Sequence, residues 1–600
     1  MTTPGFGAEL FLGRLRTDLL DRLAGVPRHL DDEEERFLGR LREFCEKRVD
    51  GDLVEREDRI PDDVVEGLKD IGAFCIKIPR EYGGLGLSGL CYLRALMIVT
   101  TVHSALGELL AAHQAIGLPQ PVALFGTEEQ KRAFLPRCVR EISAFALTEP
   151  DVGNDPYRMR TTAVPDPETG TYTLNGVKLW VTNGVIADLL MVMAVVPASN
   201  AGPGGTTVFV VEADSPGVTV EHRSSFLGLR GLENGVVRLH DVVVPGANRI
   251  GDEGAGLDIA LAAQDTGRLS LPAVCAAAAK WSLRVARQWA GARVQWGRPI
   301  GEQEAVAGKL AFIAATAFAL EAMVETSGRL ADLGTDDTRM DAELAKLFAS
   351  ERAWLVADEL VQIRGGRGYE TARSAAARGE RGVPAEQLLR DLRVGRIFDG
   401  STEALRTFIA SAVVESHRAG GGALAAGDGP GAEAARGDEA GPLAGHRRFA
   451  SRAARRLGRL AGGFADRPDT ELGDCQRRLG RIVDIGAELY AMSVTCAHAE
   501  ALRDHGDAPV RLADAFCSQA RIRVEEMFER LTANTDAGDR ALARQVLDDR
   551  FTWLEEGIVD ACAEGPWVAE PKPGPATGPN LRRRVPAGKA PNPAETRRVL

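Results

Sequence analysis

The chain has no CxxC pair, no HExxH and no cluster of histidine and cysteine at ligand spacing, so no metal site is expected. Its nine cysteines stand singly, at 45, 75, 91, 138, 275, 475, 496, 517 and 562. An odd number without paired spacing supplies no disulfide framework and points to a reducing interior. Basic charge is also short: the net charge is −12 at pH 7. That excludes nucleic acid as the main ligand, because neutralising phosphates needs a basic face. No apolar run approaches the ~18 to 20 residues of a membrane-spanning helix. The stretch "MTTPGFGAELFLGRLRTDLLDRLAG" mixes acidic with basic residues where a signal peptide has an unbroken apolar core. The cytoplasm is the expected location.

What is present is organised in blocks, and 600 residues are too many for one core. Residues 1–135 are expected to form an N-terminal helical domain, with apolar residues at three and four spacing in "DDEEERFLGRLREFCEKRV" and "PDDVVEGLKDIGAF". Thr127 followed by Gln130 reads as a capping box. Residues 136–250 switch to short β-branched runs and predict a middle antiparallel β domain, with Asn175-Gly176 as a hairpin signal. Long alanine-rich helices return over 251–415. Segregated helices and strands make the fold class α+β, and neither "GLGLSG" nor "GGRG" sits in a βαβ unit that would make it a dinucleotide site. Residues 416–445 are a Gly/Ala linker, 446–570 a further helical domain, and the Pro- and Arg-rich 571–600 a tail expected to be disordered.

Three segments are candidates for chemistry. Thr148, Gly153 and Asn154 in "FALTEPDVGND" occupy a loop that, alone, reads as a strand-end turn. In "LNGVKLWVTNG", Trp180 and Thr182 would share one strand face, an aromatic beside a hydroxyl, though a lone Trp is more often core. In "RIFDGSTEAL", Asp399 stands between two helical segments, either as a helix-end residue or as a placed base.

Together with "HQAIGLPQPVALFGTEEQKRAFLP", "LGLRGLENGVVRLHDVVVP", "ARVQWGRPI" and "QIRGGRGYE", these segments resemble, in order, the flavin-dependent acyl-CoA dehydrogenases over residues 30 to 415. The extra helical unit resembles the longer, very-long-chain type. The resemblance implies a C-terminal four-helix bundle, FAD, an acyl-CoA substrate and an electron-transfer flavoprotein as partner. It implies flavin contacts for Phe145, Leu147, Thr148, Asn154, Trp180, Thr182, Ser401 and Glu403. Arg293 and Gln295, with Gln362, Gly365 and Gly366, would meet the flavin of a neighbouring subunit. Asn154, Asp265 and Arg268 would lie near substrate. Asp399 occupies the position of the family's usual catalytic glutamate, and the alternative position on the long helix is Gly267. Aspartate reaches about 1.5 Å less, one carbon–carbon bond.

Same-fold alternatives are an oxygen-using oxidase or monooxygenase, or a non-catalytic scaffold. The basic segment 446–463 suits either a helix packing its thin apolar stripe on the body, the favoured reading, or contact with anionic lipid. Covering surface that shorter relatives use to join dimers, the extra unit points to a homodimer.

Overall fold

The computed structural model describes residues 3–21, 29–199, 202–334, 336–421 and 441–585. Helix α1 (Asp32–Arg48) begins at a capping box between Asp31 and Glu34 and leads into α2 (Gly89–Val102) and α3 (Ser104–Gln114). The Thr127–Gln130 capping box forms, and the Gln130 amide also donates to the carbonyls of Ala247 and Arg249 at 2.8 and 2.7 Å. One side chain thus caps a helix and ties it to the β domain.

The sheet comprises β1 (Ser143–Ala146), β2 (Thr162–Asp166), β3 (Thr171–Thr182), β4 (Leu189–Val196), β5 (Gly205–Glu212), β6 (Val218–Arg223), β7 (Asn234–Pro245) and β8 (Arg249–Ile250). Its order is β6-β7-β3-β2-β4-β5-β8, with β1 added against β4. Pairing is antiparallel except that β1 and β2 run parallel to β4. The Asn175-Gly176 pair is not a hairpin turn. It lies inside β3 at a register shift. There Asn175 exchanges hydrogen bonds with Asp241, at 3.1 and 2.9 Å. A Cβ on Gly176 would stand 2.7 Å from the Thr161 Cβ, so this glycine answers a close approach at a bulge.

Helix α4 (Gly256–Ala292) runs for 37 residues and packs on α5 (Glu304–Leu333) and α6 (Arg339–Arg364). By length and hydropathy α5 could cross a membrane. Its alanine-rich faces instead pack against α2, α4, α6 and the helices that follow. Helix α7 (Ala385–Arg393) leads through a short turn to α8 (Thr402–Ser416). Residues 422–440 of the expected linker lie outside the described residues. Beyond them, α9 (Ala444–Gly462), α10 (Gln476–Ala501) and α11 (Ala508–Arg530) extend the bundle. Helix α10 packs on α5, α6 and α8. Its buried Glu488 is gripped by Arg352 from α6 and Arg523 from α11.

Two placements differ from the sequence expectation, and a third agrees with its favoured reading. Phe6 and Phe11 are buried on this C-terminal unit, with the Phe6 ring 6.1 Å from Tyr490 and His417 Nε2 2.9 Å from the Phe11 carbonyl. Residues 3–21 therefore belong structurally with the extension rather than with the N-terminal helices. As favoured, α9 packs its stripe on the body: Phe449, Ala453 and Leu457 are buried within the chain, while Leu460 at its end stays exposed, and Arg456 lies over the Phe528 ring at 4.0 Å. Residues 571–585 are not a loose tail. Leu581 N–H donates to the Val220 carbonyl at 2.8 Å and Val220 N–H to Asn580 Oδ1 at 3.0 Å, covering the open edge of β6. Arg583 then reaches Asp62 of the N-terminal domain at 2.7 Å and Glu233 of the β domain at 3.0 Å. Composition hid this, because the partners lie hundreds of residues away. Residues 586–600 lie outside the described residues.

Candidate active site

The turn between α7 and α8 carries Asp399 at φ +50° and Gly400 at φ +87°, two consecutive left-handed residues. Aspartate tolerates that region better than most side chains, and glycine enters it freely. What holds the turn is Lys346, a fully buried lysine on α6. Its Nζ donates to the carbonyls of Phe398 (3.0 Å) and Gly400 (2.6 Å), one on each side of Asp399. Ser401 caps α8 by accepting from the Ala404 N–H. Thr402 donates to Glu351 at 2.6 Å, and Arg396 donates to the same carboxylate at 2.8 Å. The N–H of Asp399 donates to no described residue.

Asp399 is half-buried by accessible surface yet surrounded by protein on its inner side. Burial raises its pKa above the usual carboxylate value, and the charges of Lys346 and Arg268 oppose that rise. Arg268, buried on α4, is paired with Glu343 at 2.9 Å. Burial lowers the Lys346 ammonium to about 8, against the charge of Asp399.

Facing this turn is the β domain. Asn154 Nδ2 lies 3.4 Å from Ser401 Oγ and bridges the two. The loop bearing Asn154 is stapled to β3 by Lys178, whose buried Nζ donates to the Leu147 carbonyl (3.0 Å) and to Glu149 (2.9 Å). Leu179 N–H donates to the Thr148 carbonyl at 2.8 Å. Beyond Lys178 the register of β3 shifts, and Trp180 turns out at φ +54° with 58% of its surface exposed. The strand alternation expected to carry Trp180 and Thr182 to one face is thus interrupted at Trp180 itself. Asn234 Nδ2 holds both, donating to the Trp180 carbonyl (2.9 Å) and to Thr182 Oγ1 (3.1 Å).

The remaining predicted residues divide. Phe145 and Leu147 sit at the edge of a small core beneath the loop, and Glu403 is exposed at the start of α8. The side chain of Asp265 lies outside the described residues. Arg293 and Gln295 lie at the far end of α4 on a short hairpin, Gln295 exposed with its side-chain amide donating to the Val294 carbonyl. Gln362, Gly365 and Gly366 are exposed at the end of α6. Trp289, donating to the Ile363 carbonyl at 3.1 Å with Arg364 5.0 Å over its ring, brings these two groups together. Twenty-five positions separate Arg268 from Arg293 along α4, about 37 Å at 1.5 Å per residue. The structure thus forms two clusters, not one.

Residues 31–141, 144–242 and 254–414 match the family models described as acyl-CoA dehydrogenase N-terminal, middle and C-terminal domains. A "Probable acyl-CoA dehydrogenase FadE10" of Mycobacterium tuberculosis is 53% identical, over 97% of this chain and 94% of its own. The chain belongs to the acyl-CoA dehydrogenase family. The human mitochondrial very long-chain specific acyl-CoA dehydrogenase is 35% identical over 68% of this chain and 61% of its own. Among solved structures, an acyl-CoA dehydrogenase from Bacillus anthracis, complexed with FAD, superposes with TM-score 0.73 at 26% identity, covering 84% of this chain and 89% of that one.

The site of this acyl-CoA dehydrogenase fits a flat, hydrogen-bonding ring. Trp180 offers an uncovered aromatic face, and the buried side-chain oxygens of Asn183 and Asn234 have no partner among the described residues. Several supporting residues carried no sequence signal beyond their type. Lys346 is a single lysine in an alanine-rich helix, and Lys178 and Glu149 lie inside segments already singled out for other residues. The terminal strap supports the same wall, since Glu233 precedes Asn234 and Arg583 N–H donates to the Val185 carbonyl at 2.7 Å. Removing residues 571–600 is expected to cost roughly 1–3 kcal/mol, the net worth of about two ordinary hydrogen bonds. A lower melting temperature together with earlier flavin release, followed by flavin fluorescence, would show it. An unchanged release temperature would mean the strap does not support the wall.

Proposed function

We infer that this protein binds FAD and desaturates an acyl-CoA thioester to the trans-2-enoyl-CoA, with the Asp399 carboxylate as the base for the α-proton. When bound, the flavin supplies the acceptor for the β-hydrogen and its electron pair. The observation that carries this reading is the Asp399 turn: a carboxyl on a backbone turn that Lys346 fixes, its N–H donating to no described residue, bridged through Ser401 to the loop beside Trp180. The free N–H suits a thioester carbonyl that gains negative charge as the α-proton leaves. Arg268 and Lys346 keep positive charge close to the carboxylate, which favours its ionised, proton-accepting form. Phe145, Leu147, Thr148, Asn154, Trp180, Thr182, Ser401 and Glu403 would contact the flavin, and Asn154, Asp265 and Arg268 the substrate side.

Distance separates the Arg293–Gln295 and Gln362–Gly366 cluster from Asp399, and this supports a homodimer in which that cluster serves the partner's flavin. An electron-transfer flavoprotein would receive the electrons, in a reducing cytoplasm that suits nine free cysteines. Anaerobic titration of the yellow protein with acyl-CoAs from C4 to C20 tests the reaction. Bleaching of the flavin by one or more chain lengths is expected, with little peroxide formed in air. A loaded flavin that no acyl-CoA bleaches would refute the assignment.

A further inference from the structure

Two carboxyl-bearing segments, the Asp399 turn and α3, pack on the same turn of helix α4, and the reaction uses only one of those carboxyls. Gly395, at the start of the Asp399 turn, lies against α4, where a Cβ would be 3.6 Å from Leu271. A Cβ on Gly107 of α3 would be 3.6 Å from Val274, three residues further along the same helix. The next residue of α3 is Glu108. Its neighbours Leu106, Gly107, Leu109 and Leu110 are all buried, whereas Glu108 keeps accessible surface. Tyr92 of α2 closes the cluster from a third side, its hydroxyl 3.0 Å from Ser270 Oγ of α4.

Among the described residues Glu108 has no hydrogen bond and no ion pair, unlike Glu343 and Glu351 nearby. Glu343 holds Arg268 and Glu351 holds Arg396 and Thr402. The charge of Asp399 reaches Glu108, as it does Lys346, and burial with that charge lifts the Glu108 carboxyl to about 8. It is therefore mostly a neutral acid at pH 7, able both to donate and to accept. A hydrogen-bonding group in such a place either meets a polar partner or carries a desolvation cost against methylene groups.

We propose that Glu108 is a specificity residue, and that the acyl group handled here bears a hydrogen-bonding substituent, a hydroxyl or oxo group beyond the β-carbon, in place of plain hydrocarbon. This rests on the dehydrogenase reading and deepens it. On this reading the Glu108 carboxyl would face the acyl chain, and an unsubstituted chain would leave it without a partner. A pocket that pairs such a substituent discriminates strongly against a chain lacking it, because the analogue leaves the protein group unpaired.

The test uses the flavin-loaded enzyme and measures kcat/KM for flavin bleaching with saturated acyl-CoAs and their hydroxylated counterparts of equal length, the hydroxyl moved stepwise along the chain. The native enzyme is expected to favour one hydroxylated isomer by at least ~10-fold. Glu108→Leu should reverse that preference, and Glu108→Gln, which keeps a donor and an acceptor, should retain most of it. The proposal is overturned if the native enzyme prefers the unsubstituted chain and Glu108→Leu leaves the ratio unchanged. It is equally overturned if Glu108→Gln abolishes bleaching while Asp399→Asn does not, which would make Glu108 the base. Bleaching by saturated chains alone sinks the substituent and spares the dehydrogenase, whereas no bleaching by any chain sinks both.

Discussion

Asp399→Asn is expected to yield a folded, yellow protein that no acyl-CoA bleaches. The substitution changes almost nothing but basicity. Asparagine has the same size, and like aspartate it tolerates the left-handed φ of +50° found here. The Lys346 bonds go to the backbone on either side, so the turn is retained. An amide cannot accept the α-proton, and losing a general base costs about 10²- to 10⁴-fold. Stopped-flow bleaching reads this directly, and normal reduction by the Asn variant would remove Asp399 from the mechanism. A pH profile supplies a second check. Burial raises the Asp399 pKa, and only the ionised form accepts a proton. Activity should therefore climb with pH through a value above that of an ordinary aspartate. Asp399→Glu probes reach. It adds one carbon–carbon bond but places a less tolerant side chain in the left-handed turn, and a gain in rate would show that the native residue under-reaches.

Lys346→Met should be nearly as damaging by a different route. It removes both donors that fix the peptide carbonyls around Asp399 and leaves those carbonyls short of partners, at about 1–3 kcal/mol each. The turn would then relax, and a shift of ~1 Å in a reacting group can cost about 10²-fold in rate. A purely structural lysine would lower stability and leave the pH profile in place. Lys346 also faces the Asp399 charge, so its removal should move the rising limb of the profile to higher pH. Lys346→Arg should restore charge without the same geometry, recovering the limb more than the rate. If Lys346→Met loses only melting temperature, the lysine does not position the base.

Much of this architecture could be read from residue pattern. Three-and-four spacing marks α1, β-branched runs mark β3 to β7, and the Asp-Gly-Ser join marks the turn between α7 and α8. Where reading failed, a long-range contact overrode a local signal. Asn175-Gly176 looks like a hairpin because nothing nearby reveals Thr161 pressing on the glycine. Trp180 obeys no alternation because a bulge intervenes. Lys346 is invisible because its partners are two carbonyls more than fifty positions away. The segment 571–585 looks structureless since its arginines meet groups far away in sequence: Arg582 the Ala187 carbonyl, Arg583 Asp62 and Glu233, and Arg584 Asp214.

That last segment also sets a clock on biogenesis. Arg583 leaves the ribosome 521 residues after the Asp62 it pairs with. At ~5–20 residues per second, that is a wait of roughly 25–100 s. Within that interval the edge strand, made 360 residues before the Asn580 that covers it, stands unguarded before any chaperone or neighbouring polypeptide, and the pocket for the yellow ring lacks its outer brace. Cofactor capture in the cell is then a late event, one that follows synthesis instead of accompanying it.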